Sequence, residues 1–123
     1  MAQVRVLIVD DEDDMRSLLR TLIEVANEGL SVAAEAADGD QALARWREEQ
    51  PEVVVLDQRM PGLSGLETAQ IILRESPNQP VVLFSAFLDP DIERAAEGIG
   101  IRACFKKDDA RRMILTLREW AAA

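Results

Sequence analysis

Val53-Val54-Val55-Leu56-Asp57 decides how the rest of the chain is read. Four consecutive apolar residues, three of them β-branched, leave no side for water, so the segment reads as a strand buried on both faces. It runs straight into a carboxylate. Upstream, Val4 to Val9 (V-R-V-L-I-V) repeats the pattern and ends at Asp10-Asp11. Downstream, Val81 to Phe84 repeats it again and ends at Ser85, and Arg102 to Lys106 is a further strand with Lys107 just past it. Leu30 to Glu35 is a more exposed strand, closed by Asp38-Gly39.

Helical patterns separate these runs. Met15, Leu18, Leu19, Leu22, Ile23 and Ala26 make one apolar stripe, preceded by Glu12, Asp13 and Asp14, where a first turn favours negative charge. Gln41 to Glu49 carries Leu43 and Trp46 on one face and is stopped by Pro51. Ser64 to Glu75 begins with an N-cap serine and with Glu67 three residues on, a capping box. Asp89-Pro90-Asp91 supplies an N-cap and an N1 proline for a helix through Ile99, with Ile92, Ala95, Ala96 and Ile99 as its stripe. Ala110 to Ala121 closes the chain around Met113, Leu117 and Trp120. Five β-α units imply a parallel sheet with helices on both faces and right-handed crossovers. In such sheets the site lies outside the carboxyl ends of the strands.

Composition narrows the chemistry. The 123 residues suit one domain, 1–123, without repeats or linkers. A net charge of −9 argues against direct binding of nucleic acid or anionic lipid. The absence of histidine removes the imidazole as base, metal ligand or phosphoryl carrier. A single cysteine, Cys104, cannot form an internal disulfide, so the cytoplasm is the expected compartment. No apolar run approaches the ~20 residues of a membrane span, and Met1-Ala2-Gln3-Val4-Arg5 does not start like a signal peptide.

The strand ends hold Asp10, Asp11, Asp57, Ser85 and Lys107. Taken singly, each has an ordinary explanation as a helix cap, a turn residue, a satisfied hydroxyl or a solvated strand end. Together they fall at one edge of one sheet. Twelve of the fourteen basic residues are arginine, and the only lysines are Lys106 and Lys107. A flexible point charge at the end of the fifth strand suits an anion that needs no planar fork. An ionised aspartate, with a reference pKa of about 3.9, needs no general base to attack a phosphoryl group.

Asp10-Asp11, Asp57 with Met60-Pro61 and Gly65, Ser85-Ala86 and Lys107 resemble the receiver domain of two-component response regulators. The resemblance covers nearly the whole chain. It implies the flavodoxin-like (βα)5 three-layer sandwich with a five-stranded parallel sheet of order 2-1-3-4-5. With that order the first and third strands are neighbours about 4.8 Å apart. Asp10, Asp11 and Asp57 then converge and repel one another unless a cation sits among them. Few carboxylates with room for water and phosphate fit Mg²⁺ better than a Ca²⁺ cage. A Ca²⁺ loop starting at Asp10 would need glycine where Met15 stands and glutamate where Thr21 stands.

By the same resemblance, Asp57 accepts phosphate from a phosphohistidine on a sensor histidine kinase or phosphotransfer protein. Asp11 and Asp57 would ligate Mg²⁺ with the Arg59 carbonyl, Asp10 acting mainly through water. Ser85, followed by Ala86, would bond one phosphoryl oxygen, and Lys107 would pair with another. Asp108 stands where the family commonly has proline after the lysine, so a trans bond and a different loop are expected. Cys104 stands where the family usually carries an aromatic that swings inward on activation. Glu35-Ala36-Ala37-Asp38-Gly39 is similar to the subgroup attached to helix-turn-helix output domains. The face of the fourth helix, fifth strand and fifth helix is the family's usual output and homodimer surface. Arg94, Arg111, Arg112 and Arg118 fall there, with a solvated face as the competing reading.

Three other functions compete. A docking scaffold that takes no phosphate would usually lack an acid or the lysine, and all are present. The best-known aspartyl-phosphate phosphatases resemble Asp-x-Asp-x-Thr after the first strand, and Asp10 to Asp14 lacks that threonine. A flavin or nucleotide binder would want a glycine- or hydroxyl-rich loop there, and this loop is acidic.

Overall fold

The structure is a computed structural model that describes residues 3–26 and 29–122. Met1, Ala2 and Ala123, which enter the expectations about a leader and the domain limits, lie outside the described residues. Five strands, β1 (Val4–Val9), β2 (Leu30–Ala36), β3 (Val53–Leu56), β4 (Val81–Ser85) and β5 (Ala103–Lys106), alternate with α1 (Asp13–Ala26), α2 (Gly39–Glu49), α3 (Gly65–Glu75), α4 (Pro90–Ile99) and α5 (Ala110–Ala122). All strand pairs are parallel, and the sheet order is β2-β1-β3-β4-β5. The receiver-like topology expected from the resemblance is the one observed. No helix among the described residues is long and apolar enough to cross a membrane.

The central strands are buried on both faces because side chains alternate along a strand. Leu7, Val9, Val54, Leu56, Val81 and Leu83 pack against α2, α3 and α4 through Leu43, Trp46, Ala69, Ile72 and Ala96. Val6, Ile8, Val53, Val55, Val82 and Phe84 face the other way, onto Leu19 and Ile23 of α1 and Met113, Ile114 and Leu117 of α5. These two layers of aliphatic side chains hold the sheet rigid. In β2 the register shifts between Val6↔Val32 and Leu7↔Ala34, so Ala33 is an extra residue that bends the edge strand.

Several boundaries and faces differ from the sequence reading. The second helix begins at Gly39 rather than Gln41, because the Asp38 side chain accepts the Gln41 N–H and starts the helix two residues early. It ends at Glu49 as expected, closed by Gln50, which turns left-handed at φ 46° just before Pro51. Leu18 is 46% exposed despite its place in the α1 stripe, since Leu19 and Ile23 take the centre of that face. Ala95 is also exposed, and Ala96 is the buried residue of α4. Between β5 and α5 a single 3-10 turn, Lys107–Asp109, replaces the loop that proline would have shaped; no cis peptide occurs among the described residues.

Candidate functional site

Asp10 and Asp57 leave adjacent strands at the same level. The Asp57 N–H donates to the Val9 carbonyl at 2.9 Å, and the Asp10 N–H to the Ala36 carbonyl at 3.0 Å. Neighbouring strand ends thus fix both carboxylates by backbone alone, and both are buried. Asp10 Oδ1 accepts the Glu12 N–H at 2.9 Å, a turn that leads into α1. Past Asp57 the chain must reach α3 quickly. The Gly65 N–H donates to the Gln58 carbonyl at 2.9 Å, and Gln58 Oε1 accepts the Leu66 N–H at 2.9 Å. The Ser64–Glu67 capping box completes that helix start.

Lys107 reaches back over the end of β4 into this acidic pair. Its Nζ lies 2.9 Å from Asp10 Oδ2, 3.2 Å from Glu12 Oε1 and 3.3 Å from Asp57 Oδ2. Only the contacts to Glu12 and Asp57 have hydrogen-bond geometry. Asp10 Oδ2 is buried without a hydrogen-bond partner and meets the ammonium as an ion pair alone. Lys106, one residue earlier, is exposed. Ser85 is buried at the end of β4, and its Oγ accepts the Phe87 N–H at 3.3 Å. A hydroxyl that accepts still has one hydrogen to donate.

The electrostatics follow from burial. Burial pushes the Asp57 carboxyl above the ordinary aspartate value and the nearby Asp10 charge adds to the rise, while Lys107 and the Arg59 backbone pull against it. Burial by itself would lower the Lys107 ammonium, but Asp10, Asp57 and Glu12 together raise it, so it stays charged. Burial, with Glu93 nearby, pushes the Cys104 thiol up; it is half-buried opposite Leu83 and packs beside the α2–α4 layer.

The carboxylate oxygens of Asp10, Asp11 and Glu12 lie within 4.8 Å of one another. Hard oxygen donors around a buried, unsatisfied Asp10 Oδ2 suit a small divalent cation, so the residues present fit Mg²⁺. Asp57 stands outside that group, and Lys107 bridges it to Asp10 and Glu12. A cleft of about 240 Å³ opens over these residues, lined by Asp11, Glu12, Asp57, Arg59, Ser85, Ala86, Phe87 and Lys107. All residues anticipated for the phosphoryl and metal chemistry except Asp10 line it, and Asp10 lies directly beneath through Lys107. Cys104 does not.

Glu12 as a site carboxylate and the Phe87 ring were not anticipated, and Arg59 was expected only through its carbonyl. Glu12 was read only as a helix-start charge, although its position next to the acid pair was the available signal. The Arg59 guanidinium carbon lies 4.2 Å from the Phe87 ring centre. Each of these residues stands two positions past a strand-end residue, Asp57 and Ser85, on neighbouring parallel strands, a spacing that could have paired them.

The description of the response regulator receiver domain matches residues 6–118. The chain belongs to that family. Response regulator GacA of Pseudomonas viridiflava is 41% identical to this receiver over 80 residues, which are 64% of this chain and 36% of GacA. Chemotaxis protein CheY of Thermotoga maritima is 38% identical over 82 residues, 67% of each chain. The receiver thus spans about a third of one relative and two thirds of the other. Among solved structures, a two-component response regulator of the LuxR family from Aurantimonas sp. SI85-9A1 aligns with a TM-score of 0.90 at 28% identity, over 98% of this chain and 86% of that one.

Proposed function

We propose that this receiver, as one domain over residues 1–123, is a phosphoacceptor switch whose acceptor is Asp57. The observation that carries the reading is the buried Asp57 carboxylate held 3.3 Å from the Lys107 ammonium beside Ser85. A carboxylate oxygen of Asp57 attacks phosphorus; the P–N bond of a phosphohistidine on a sensor histidine kinase or phosphotransfer protein breaks, and its electron pair stays on the imidazole. Lys107 stays cationic and turns from carboxylate to phosphoryl oxygen, where charge builds up. Ser85 donates its hydroxyl to a second phosphoryl oxygen. Asp10, Asp11 and Asp57, with the Arg59 carbonyl, would hold Mg²⁺, and Glu12 adds a nearby carboxylate. Bound there, the ion neutralises the charge gathered between nucleophile and phosphoryl group.

The reaction is the receiver's own phosphotransfer, and its output is a shift between conformations. The α4–β5–α5 face is the proposed docking or homodimer surface. Its Arg94 pairs with Asp91, and Arg112 with Asp109 at 3.7 Å, both on the chain itself. The deciding experiment is intact mass after incubation with Mg²⁺ and acetyl phosphate or a phosphorylated kinase. One base-labile phosphoryl should appear on the wild type and none on Asp57→Asn. An unmodified wild type with every donor leaves a docking scaffold as the reading.

A further inference from the structure

Arg59 is the one cleft-lining arginine, and it is not spent on an acid. Among the described residues it makes no ion pair, although Asp11, Glu12 and Asp57 line the same cleft. Its guanidinium instead lies over the Phe87 ring, 4.2 Å from the centroid. Phe87 is itself 57% exposed at the mouth, directly after the Ser85-Ala86 pair. The resting Asp57 charge is already met by Lys107, whose Nζ lies 3.3 Å from Asp57 Oδ2. Stacking on an aromatic face is therefore the better place for an exposed guanidinium in this state.

We infer that Arg59 is a second cationic ligand for the phosphoryl group and that Phe87 is the resting dock that holds it back. The inference rests on the phosphoacceptor reading and extends it. Phosphorylation replaces one buried carboxylate by a group of roughly −1.5 to −2 charges whose oxygens project into the cleft. A planar fork meets such oxygens bidentately, through charge-assisted hydrogen bonds stronger than an exposed cation–π contact. Arg59 therefore leaves the ring only when the phosphoryl group is present. Phe87 is then uncovered just before α4, which gives a receiver whose Cys104 supplies no switching aromatic an apolar signal at the cleft mouth instead.

The test uses the full chain with Mg²⁺ and trifluoroberyllate, a phosphoryl mimic, titrated calorimetrically. Arg59→Ala should weaken binding about tenfold, the scale of a lost charged hydrogen bond. Phe87→Leu should tighten it about two- to fivefold, because the competing resting contact is gone. Both side chains are exposed, so neither variant threatens the core. In the wild type, the ring-current shift of the Arg59 side-chain protons should vanish on adding the mimic. Equal affinity for wild type and Arg59→Ala, unchanged or weaker binding by Phe87→Leu, or a ring-current shift that persists with the mimic bound each overturns the inference while leaving the phosphoacceptor reading intact. A wild type that binds no mimic at all overturns both.

Discussion

Lys107 serves three carboxylates with one compact ammonium, so replacement by arginine changes shape more than charge. The guanidinium is planar and bulkier, and its fork cannot sit among Asp10, Glu12 and Asp57 as a single point charge that then turns to a phosphoryl oxygen. Lys107→Arg is expected to keep the fold and Mg²⁺ binding while phosphorylation-dependent partner binding falls severely; Lys106→Arg, at an exposed position, should behave as wild type. Side-by-side phosphate uptake and partner binding decide it, and a damaging Lys106→Arg would move the site by one residue. Ser85→Ala should still accept phosphate but lose most of the loop response, seen as phosphorylated-state chemical shifts that stay near the resting ones from Ala86 to Asp89. Shifts that match those of the phosphorylated wild type would remove Ser85 from the switch. At this scale the sequence was readable wherever a strand ended: adjacency of Asp10, Asp57, Ser85 and Lys107 follows from strand order alone. The Glu12–Lys107 and Arg59–Phe87 contacts depend on rotamers chosen after the loops fold, which no periodicity reports.

Helix ends show where local chemistry meets tertiary constraint. The starts of α3 and α4 were legible to the residue, because the Ser64–Glu67 box and the Asp89-Pro90 pair are self-contained signals. The end of α2 at Glu49 was also expected, but not the left-handed turn that closes it, since Gln50 is no left-handed residue by preference. Its N–H donates to the Trp46 carbonyl at 3.0 Å, at φ 46°. Gln50→Gly should therefore stabilise the fold by about 0.5–1 kcal/mol in urea melts, glycine adopting that conformation freely; a loss would mean the glutamine side chain packs usefully. Gly65 is the opposite case. A Cβ there would stand 2.3 Å from the Asp57 carbonyl oxygen, closer than any real contact. Gly65→Ala should cost about 1–3 kcal/mol and displace Asp57, lowering phosphate uptake along with the melting temperature. An alanine variant with wild-type stability and uptake would show that α3 can shift without moving the site. The faces of α1 and α4 were read less well, because a stripe names candidates for burial and the neighbouring layer selects among them: Leu19 over Leu18, Ala96 over Ala95.

For the whole molecule, two aliphatic layers hold a cluster of like charges at one edge, and stability and function pull against each other there. Burial first, and repulsion from Asp10 second, raise the Asp57 pKa; Lys107 only partly offsets them. A carboxyl whose folded pKa lies above its unfolded value binds its proton more tightly when folded, so ionising it at higher pH costs stability. Below the ordinary aspartate value of about 3.9 the group is protonated in both states and the cost is absent. Between that value and the raised one the cost grows, and above both it is complete. Asp57→Asn removes the ionisation, while Lys107 keeps Asp10 and Glu12 as partners. The variant should therefore be more stable than wild type at pH 7 in EDTA, with an advantage that shrinks as pH falls and disappears near pH 3.5. Mg²⁺ at pH 7 should stabilise the wild type more than Asp57→Asn, since the ion relieves the same repulsion by binding the folded state. Urea melts of both proteins at the two pH values, with and without Mg²⁺, measure all of these differences. A variant less stable than wild type at pH 7 would mean that the Lys107 attraction outweighs burial, and the Asp57 carboxylate would then be a stabilising partner rather than a strained one.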